Sequence, residues 1–102
     1  MMTAREYEES LRKLNLVVYM FGKRIENVVD DPIIRPSMNA VALTYELAHD
    51  SVHAPLMTAT SHITGKKINR FCHIHQSTDD LIKKTDMGRF LGAMTGSCFQ
   101  RC

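Results

Sequence analysis

The sequence predicts a mainly α-helical fold that carries a small β-hairpin near its start. Three observations carry this expectation. Two helix-opening signatures, Thr3 with Glu6 and Ser77 with Asp80, each stand ahead of a segment whose apolar residues recur three and four apart. Leu16 to Phe21 is dense in β-branched and aromatic residues and runs into Gly22-Lys23, a turn signal. A third segment, from Met38 to about Asp50, repeats the helical spacing behind Pro36-Ser37.

Taken in order, Thr3 caps a first helix in which Tyr7, Leu11 and Leu14 form one apolar stripe, so the helix should run to about Leu14. Leu16 to Phe21 then reads as a strand. Gly22-Lys23 reads as a II′ turn with Gly22 supplying the positive φ, and Arg24 to Val28 alternates as a returning strand. Asp30-Asp31-Pro32 ends the hairpin. Pro36 biases Arg35 away from helical geometry, so Ser37 is the expected cap of the next helix, with Met38, Val41, Tyr45 and Ala48 on one face. Beyond that helix, Pro55 interrupts the chain. Gly65 marks a turn flanked by Ile63, Ile68 and Phe71, which allows a second short hairpin although apolar residues are sparse there.

The closing helix begins at Ser77. Its apolar stripe passes through Leu81, Met87, Leu91 and Met94 and, at the same spacing, reaches Cys98 and Cys102. Asp86-Met87-Gly88 is a point where this helix should break. Gly88, Gly92 and Gly96 stand four apart and would leave one face bare. Each costs about 1 kcal/mol against alanine inside a helix, which points to a close neighbour using that face.

Composition narrows the function classes. At 102 residues the chain amounts to one domain, or to a piece of a larger protein. With 44% hydrophobic and 24% charged residues it has the make-up of a folded soluble protein. Thirteen Lys and Arg against eleven Asp and Glu give +2, with no basic block interleaved with aromatics, so no nucleic-acid partner is expected. No apolar run approaches the roughly 18 residues of a membrane span. The acidic, polar start M-M-T-A-R-E-Y-E-E-S does not read as a secretory leader, and an odd count of three cysteines suits a reducing compartment. Cytoplasm is therefore the expected location.

Candidate chemistry concentrates at the end of the chain, in S-C-F-Q-R-C. On a helix, a spacing of four puts Cys98 and Cys102 on one face, roughly 5–6 Å apart at Cβ. That suits two thiolates on one iron–sulfur cluster and suits a disulfide poorly. On spacing alone, two buried core thiols are an equally good reading. His49 and His53, also four apart, lack the acidic partner of a zinc helix, and a helix C-terminus accounts for His49 without a metal. Cys72, His73 and His75 have no matching pair downstream and read as packing and surface residues. No nucleophile elbow, P-loop or dinucleotide glycine fingerprint occurs.

The segments Y-E-E-S-L-R-K-L-N, V-Y-M-F-G, I-E-N-V-V-D-D-P-I-I-R-P-S-M-N, T-Y-E-L-A, I-N-R-F and H-Q-S-T-D-D-L, with the closing S-C-F-Q-R-C, span nearly the whole chain. Together they resemble the amino-terminal part of the 4-hydroxybutyryl-CoA dehydratase family, within the 4-hydroxyphenylacetate 3-hydroxylase superfamily. The resemblance implies an acyl-CoA-dehydrogenase-like fold, of which residues 1–102 would be the amino-terminal helical domain. A middle β-domain and a carboxy-terminal helical bundle would lie outside this chain. It implies a lyase and isomerase that forms crotonyl-CoA from 4-hydroxybutyryl-CoA or vinylacetyl-CoA, a CoA-thioester substrate, a homotetramer, and FAD with a 4Fe–4S cluster held by three cysteines and a histidine. Cys98 and Cys102 match two of those cysteines, the remaining ligands falling outside this chain. Gln100 matches a glutamine near the family's active site, and no FAD- or CoA-binding residue is identifiable in these 102 positions.

Two other readings differ in what they make of the same residues. A flavin-dependent aromatic hydroxylase of the same superfamily would need no cluster and would leave Cys98 and Cys102 as core residues. A stand-alone, non-catalytic binding module would use the glycine face and the cysteine stripe as an interface. In the dehydratase reading the 102-residue chain alone is not expected to catalyse the reaction.

Overall fold

The computed structural model describes residues 1–96. They form four α-helices, two two-stranded antiparallel sheets and one 3₁₀ turn. The chain divides into two units, with the division inside the second helix between Tyr45 and Glu46.

In residues 2–45, α1 (Ala4–Arg12) opens on the expected capping box. The Thr3 amide donates to the Glu6 carboxylate at 2.8 Å and the Glu6 amide to the Thr3 hydroxyl at 3.2 Å. The helix ends at Arg12, before the expected Leu14, and Leu14 is exposed. The hairpin is present, as β1 (Val18–Met20) and β2 (Lys23–Ile25), with Val18 opposite Ile25, Tyr19 opposite Arg24 and Met20 opposite Lys23.

The hairpin turn differs from the expectation by one residue. It is made by Phe21 and Gly22, not Gly22 and Lys23, and both have positive φ, 53° and 75°. Positive φ at both central positions is the I′ geometry, whose twist matches that of paired strands. Phe21 therefore occupies a left-handed conformation that disfavours any residue with a Cβ by roughly 1–2 kcal/mol.

Helix α2 (Arg35–His49) begins two residues before the expected cap at Ser37. Asp31 starts it from upstream: its carbonyl accepts from the Ile34 and Arg35 amides at 3.0 and 2.7 Å, and its carboxylate from Ile33 at 2.9 Å. Pro36 then falls in the first turn, where a missing amide hydrogen leaves no bond unmade. Val29, Met38 and Ala42 are buried here, and the Tyr7 and Tyr45 rings stack at 4.7 Å. Val41, expected on the buried face, is exposed.

In residues 46–96, Pro55 does not interrupt the chain but sits in the first turn of a short helix, α3 (Ala54–Met57), where proline is again harmless. The sparse second hairpin is present. Strands β3 (Thr58–Thr60) and β4 (Lys67–Asn69) pair Thr58 with Asn69 and Thr60 with Lys67, and Gly65 turns the connection at φ 68°. A 3₁₀ turn, Arg70–Cys72, leads to α4 (Thr78–Thr95).

Helix α4 runs unbroken through Asp86-Met87-Gly88, contrary to the sequence expectation. Met87 and Leu91 are wholly buried, as is Met57 of α3, which packs on this helix; that burial outweighs the helix cost of Gly88. Helix α4 ends at Thr95, and Gly96 caps it at φ 65°, its amide donating to the Gly92 carbonyl at 2.9 Å. Gly96 thus serves as a left-handed cap and does not belong to a glycine face. Cys98 and Cys102, the expected continuation of the apolar stripe, lie outside the described residues.

Candidate functional site

The residues singled out for cluster chemistry, Cys98, Gln100 and Cys102, lie outside the described residues. What the structure supplies is the platform that leads to them: α4, held at Met87 and Leu91 and closed by Gly96. The Gly96 amide bond to Gly92 stops the helix at a defined residue, one turn beyond the buried Leu91.

Two histidines of this unit are each held by a carboxylate. At the start of α3, Asp50 folds back on its own chain. Its carbonyl accepts from the Ala54 amide at 2.8 Å, one carboxylate oxygen from the Val52 amide at 3.0 Å, and the other lies 2.7 Å from His53 Nδ1. These bonds, the Val52 amide first, hold the Asp50 carboxyl below the usual carboxylate value. The imidazole of His53 stacks on Phe90 of α4 with ring centroids 5.0 Å apart. His49, the other member of the expected pair, is exposed at the end of α2.

At the start of α4, Ser77 accepts from the Asp80 amide at 3.2 Å, as the capping box predicts. The Asp80 carboxylate reaches one residue further than a capping box requires, taking the Gln76 amide at 2.8 Å and facing His73 Nε2 at 3.1 Å. The Gln76 amide and then His73 draw the Asp80 carboxyl down to about 2. The His73 side chain is 7% exposed, and its Nδ1 is buried without a hydrogen-bond partner among the described residues. Cys72, one position earlier, is exposed with a free thiol, and His75 is exposed as well. The structure therefore separates the Cys72, His73, His75 group, and among the described residues no three His, Cys, Asp or Glu side chains are placed to hold a metal.

One buried polar residue has no counterpart in the sequence expectations. Arg70 is 4% exposed, yet it has no acidic partner among the described residues. Its Nε donates to the Leu56 carbonyl at 2.6 Å, and one terminal nitrogen donates to the Thr58 and Pro55 carbonyls at 2.6 and 3.2 Å. The guanidinium thereby collects the carbonyls at the end of α3 and the start of β3, groups that a short helix leaves unpaired. The only sequence hint was the position of Arg70 between Ile68 and Phe71, in a stretch otherwise short of apolar residues.

The comparisons with known proteins extend over this whole framework. A family described as 4-hydroxyphenylacetate 3-hydroxylase N terminal matches residues 3–102. Over 102 residues the chain is 65% identical to the 4-hydroxybutyryl-CoA dehydratase/vinylacetyl-CoA-Delta-isomerase of Clostridium aminobutyricum, covering all of this chain and 21% of that protein. Among solved structures, an oxygen-tolerant archaeal 4-hydroxybutyryl-CoA dehydratase from N. maritimus superposes with a TM-score of 0.88 at 51% identity, over 98% of this chain and 20% of that one. The oxygenase component of 4-hydroxyphenylacetate 3-monooxygenase, complexed with FAD, matches at a TM-score of 0.75 and 21% identity, over 92% of this chain and 19% of that one, and so shares the fold. The chain spans about a fifth of the length of these relatives.

Proposed function

The chain belongs to the 4-hydroxyphenylacetate 3-hydroxylase N-terminal family, and from that membership we propose that the complete protein is a 4-hydroxybutyryl-CoA dehydratase that also isomerises vinylacetyl-CoA, both reactions giving crotonyl-CoA. The observation that carries the proposal is the 65% identity to the Clostridium aminobutyricum enzyme, which extends over the whole chain. Residues 1–102 would be the amino-terminal helical domain of an acyl-CoA-dehydrogenase-like fold, followed by a β-domain and a helical bundle. The complete protein would be a cytoplasmic homotetramer. No helix among the described residues is long and apolar enough to cross a membrane.

In this reading Cys98 and Cys102 supply two thiolate ligands to a 4Fe–4S cluster, and FAD binds elsewhere in the longer polypeptide. The donor chemistry fits, because thiolates are the ligands such clusters take. Dehydration of a 4-hydroxyacyl thioester requires removal of a β-proton that is barely acidic. When bound, the flavin supplies one-electron chemistry and the cluster a Lewis-acidic iron for the leaving hydroxyl. The part of this chain is to contribute Cys98 and Cys102, which follow the Gly96 cap of α4 in sequence, with Gln100 between them matching a glutamine near the family's active site.

The rival within the family is an aromatic hydroxylase, which would use flavin and oxygen and leave the cysteines idle. Iron content separates the two. In the full-length protein, Cys98→Ser with Cys102→Ser should abolish iron binding, measured by metal analysis of the purified protein. Iron retained at the level of the unaltered protein would overturn the cluster assignment.

A further inference from the structure

The hairpin formed by β1 and β2 has two unlike faces. Val18, Met20 and Ile25 point one way and are half-buried. Tyr19 points the other way and is 68% exposed, Val17 flanks it at 64%, and Phe21 at the tip is 80% exposed. Arg24, directly across from Tyr19, lies 3.8 Å from Glu26, so the charges beside this apolar face neutralise each other. The face therefore asks for apolar surface from whatever covers it, not for a counter-charge.

Phe21 adds an independent observation. Its φ of 53° is a turn position for which Asn or Gly is the favoured choice, and its ring is not packed within its own unit. Neither turn geometry nor local packing accounts for a phenylalanine there. Backbone strain of this kind clusters where a residue serves a site or a contact.

We propose that this outward face of the hairpin docks against a later apolar segment of the same polypeptide, a proposal that rests on the reading of the chain as part of a protein of its relatives' length. The size of the face decides between this occupant and a second copy. Two aromatics and a valine offer roughly 400 Å², about half of the ~800 Å² per partner that a stable association of separate proteins needs. An intramolecular contact needs less, because the tether supplies a high effective concentration. Relatives five times the length of the matched stretch have ample chain to supply the partner segment.

The test is photo-crosslinking in the full-length protein with Phe21→p-benzoylphenylalanine and, independently, Tyr19→p-benzoylphenylalanine. The expected result is a crosslink from each position to residues beyond 102 of the same chain, with a yield unchanged on tenfold dilution. A product of twice the mass, whether or not it fades on dilution, a crosslink to residues 46–96, or no crosslink at either position would overturn the proposal. Crotonyl-CoA formation by the same samples keeps the two readings apart. Activity without the crosslink removes the docking surface and leaves the dehydratase; the crosslink without activity does the reverse.

Discussion

Residues 2–45 and residues 46–96 hold arginine side chains in two different ways. In the first unit Arg12 and Arg35 pair with carboxylates. Arg12 grips Asp30 through both terminal nitrogens, one of them at 2.9 Å, and Arg35 reaches Glu8 at 2.9 Å and Asp30 at 3.6 Å. The Arg12 bonds and then Asn27 hold the Asp30 carboxyl well below the usual carboxylate range. The second unit buries a guanidinium, Arg70, and satisfies it with backbone carbonyls. Surface pairs orient elements at little energetic cost or gain and are screened by salt. A buried cation bound to carbonyls cannot be removed without leaving those carbonyls unsatisfied. The two units should therefore answer differently to mutation, salt and acid.

The largest expected effect is at Arg70. Arg70→Leu strips the donor from the Leu56 and Thr58 carbonyls and should destabilise the protein by about 4 kcal/mol, read as a shift in urea midpoint. Arg70→Lys should recover only part of that, since an ammonium lacks the planar fork. A loss too small to resolve for Arg70→Leu would erase the contrast between the units. A smaller effect is expected at Glu8. Glu8→Gln should cost less than about 1 kcal/mol, and the difference from the unaltered protein should disappear in 1 M salt, whereas the Arg70→Leu difference should persist there. If both responded alike to salt, the comparison would fail from the other side.

The smallest effect is confined to acid. The folded value of Asp80, about 2, lies below its ordinary 3.8, so the stability it contributes is fully present above that ordinary value. It is lost as pH falls from there through about 2. Stability measured down the pH scale should be flat with respect to this group until about pH 4 and then decline, and Asp80→Asn should remove that part of the decline. A decline of the same shape in the Asp80→Asn variant would assign the acid limb to other carboxylates, Asp30 first among them.

Much of this fold was legible because its signals are local. The Thr3–Glu6 and Ser77–Asp80 boxes fixed two helix starts, and the β-branched run from Leu16 fixed the first hairpin. The misreadings came where one local rule met a stronger partner. Pro36 reads as a barrier before α2, but Asp31 has already started the helix upstream. The break expected at Gly88 lost to the burial of Met87 and Leu91. The turn slipped by one residue because Phe21 takes a conformation its side chain disfavours. At the candidate site, Cys98 and Cys102 were singled out by spacing and resemblance and Gln100 by resemblance, and all three lie outside the described residues. Arg70 was not singled out, because its partners are backbone carbonyls, which leave no trace in a sequence.

The proposed activity is the dehydration of 4-hydroxybutyryl-CoA. Full-length protein, purified without oxygen and supplied with 4-hydroxybutyryl-CoA, should yield crotonyl-CoA, detected by chromatographic separation of the two thioesters. Unchanged 4-hydroxybutyryl-CoA, together with hydroxylation of a phenolic substrate when reduced flavin and oxygen are supplied, would contradict it and place the protein with the hydroxylases instead.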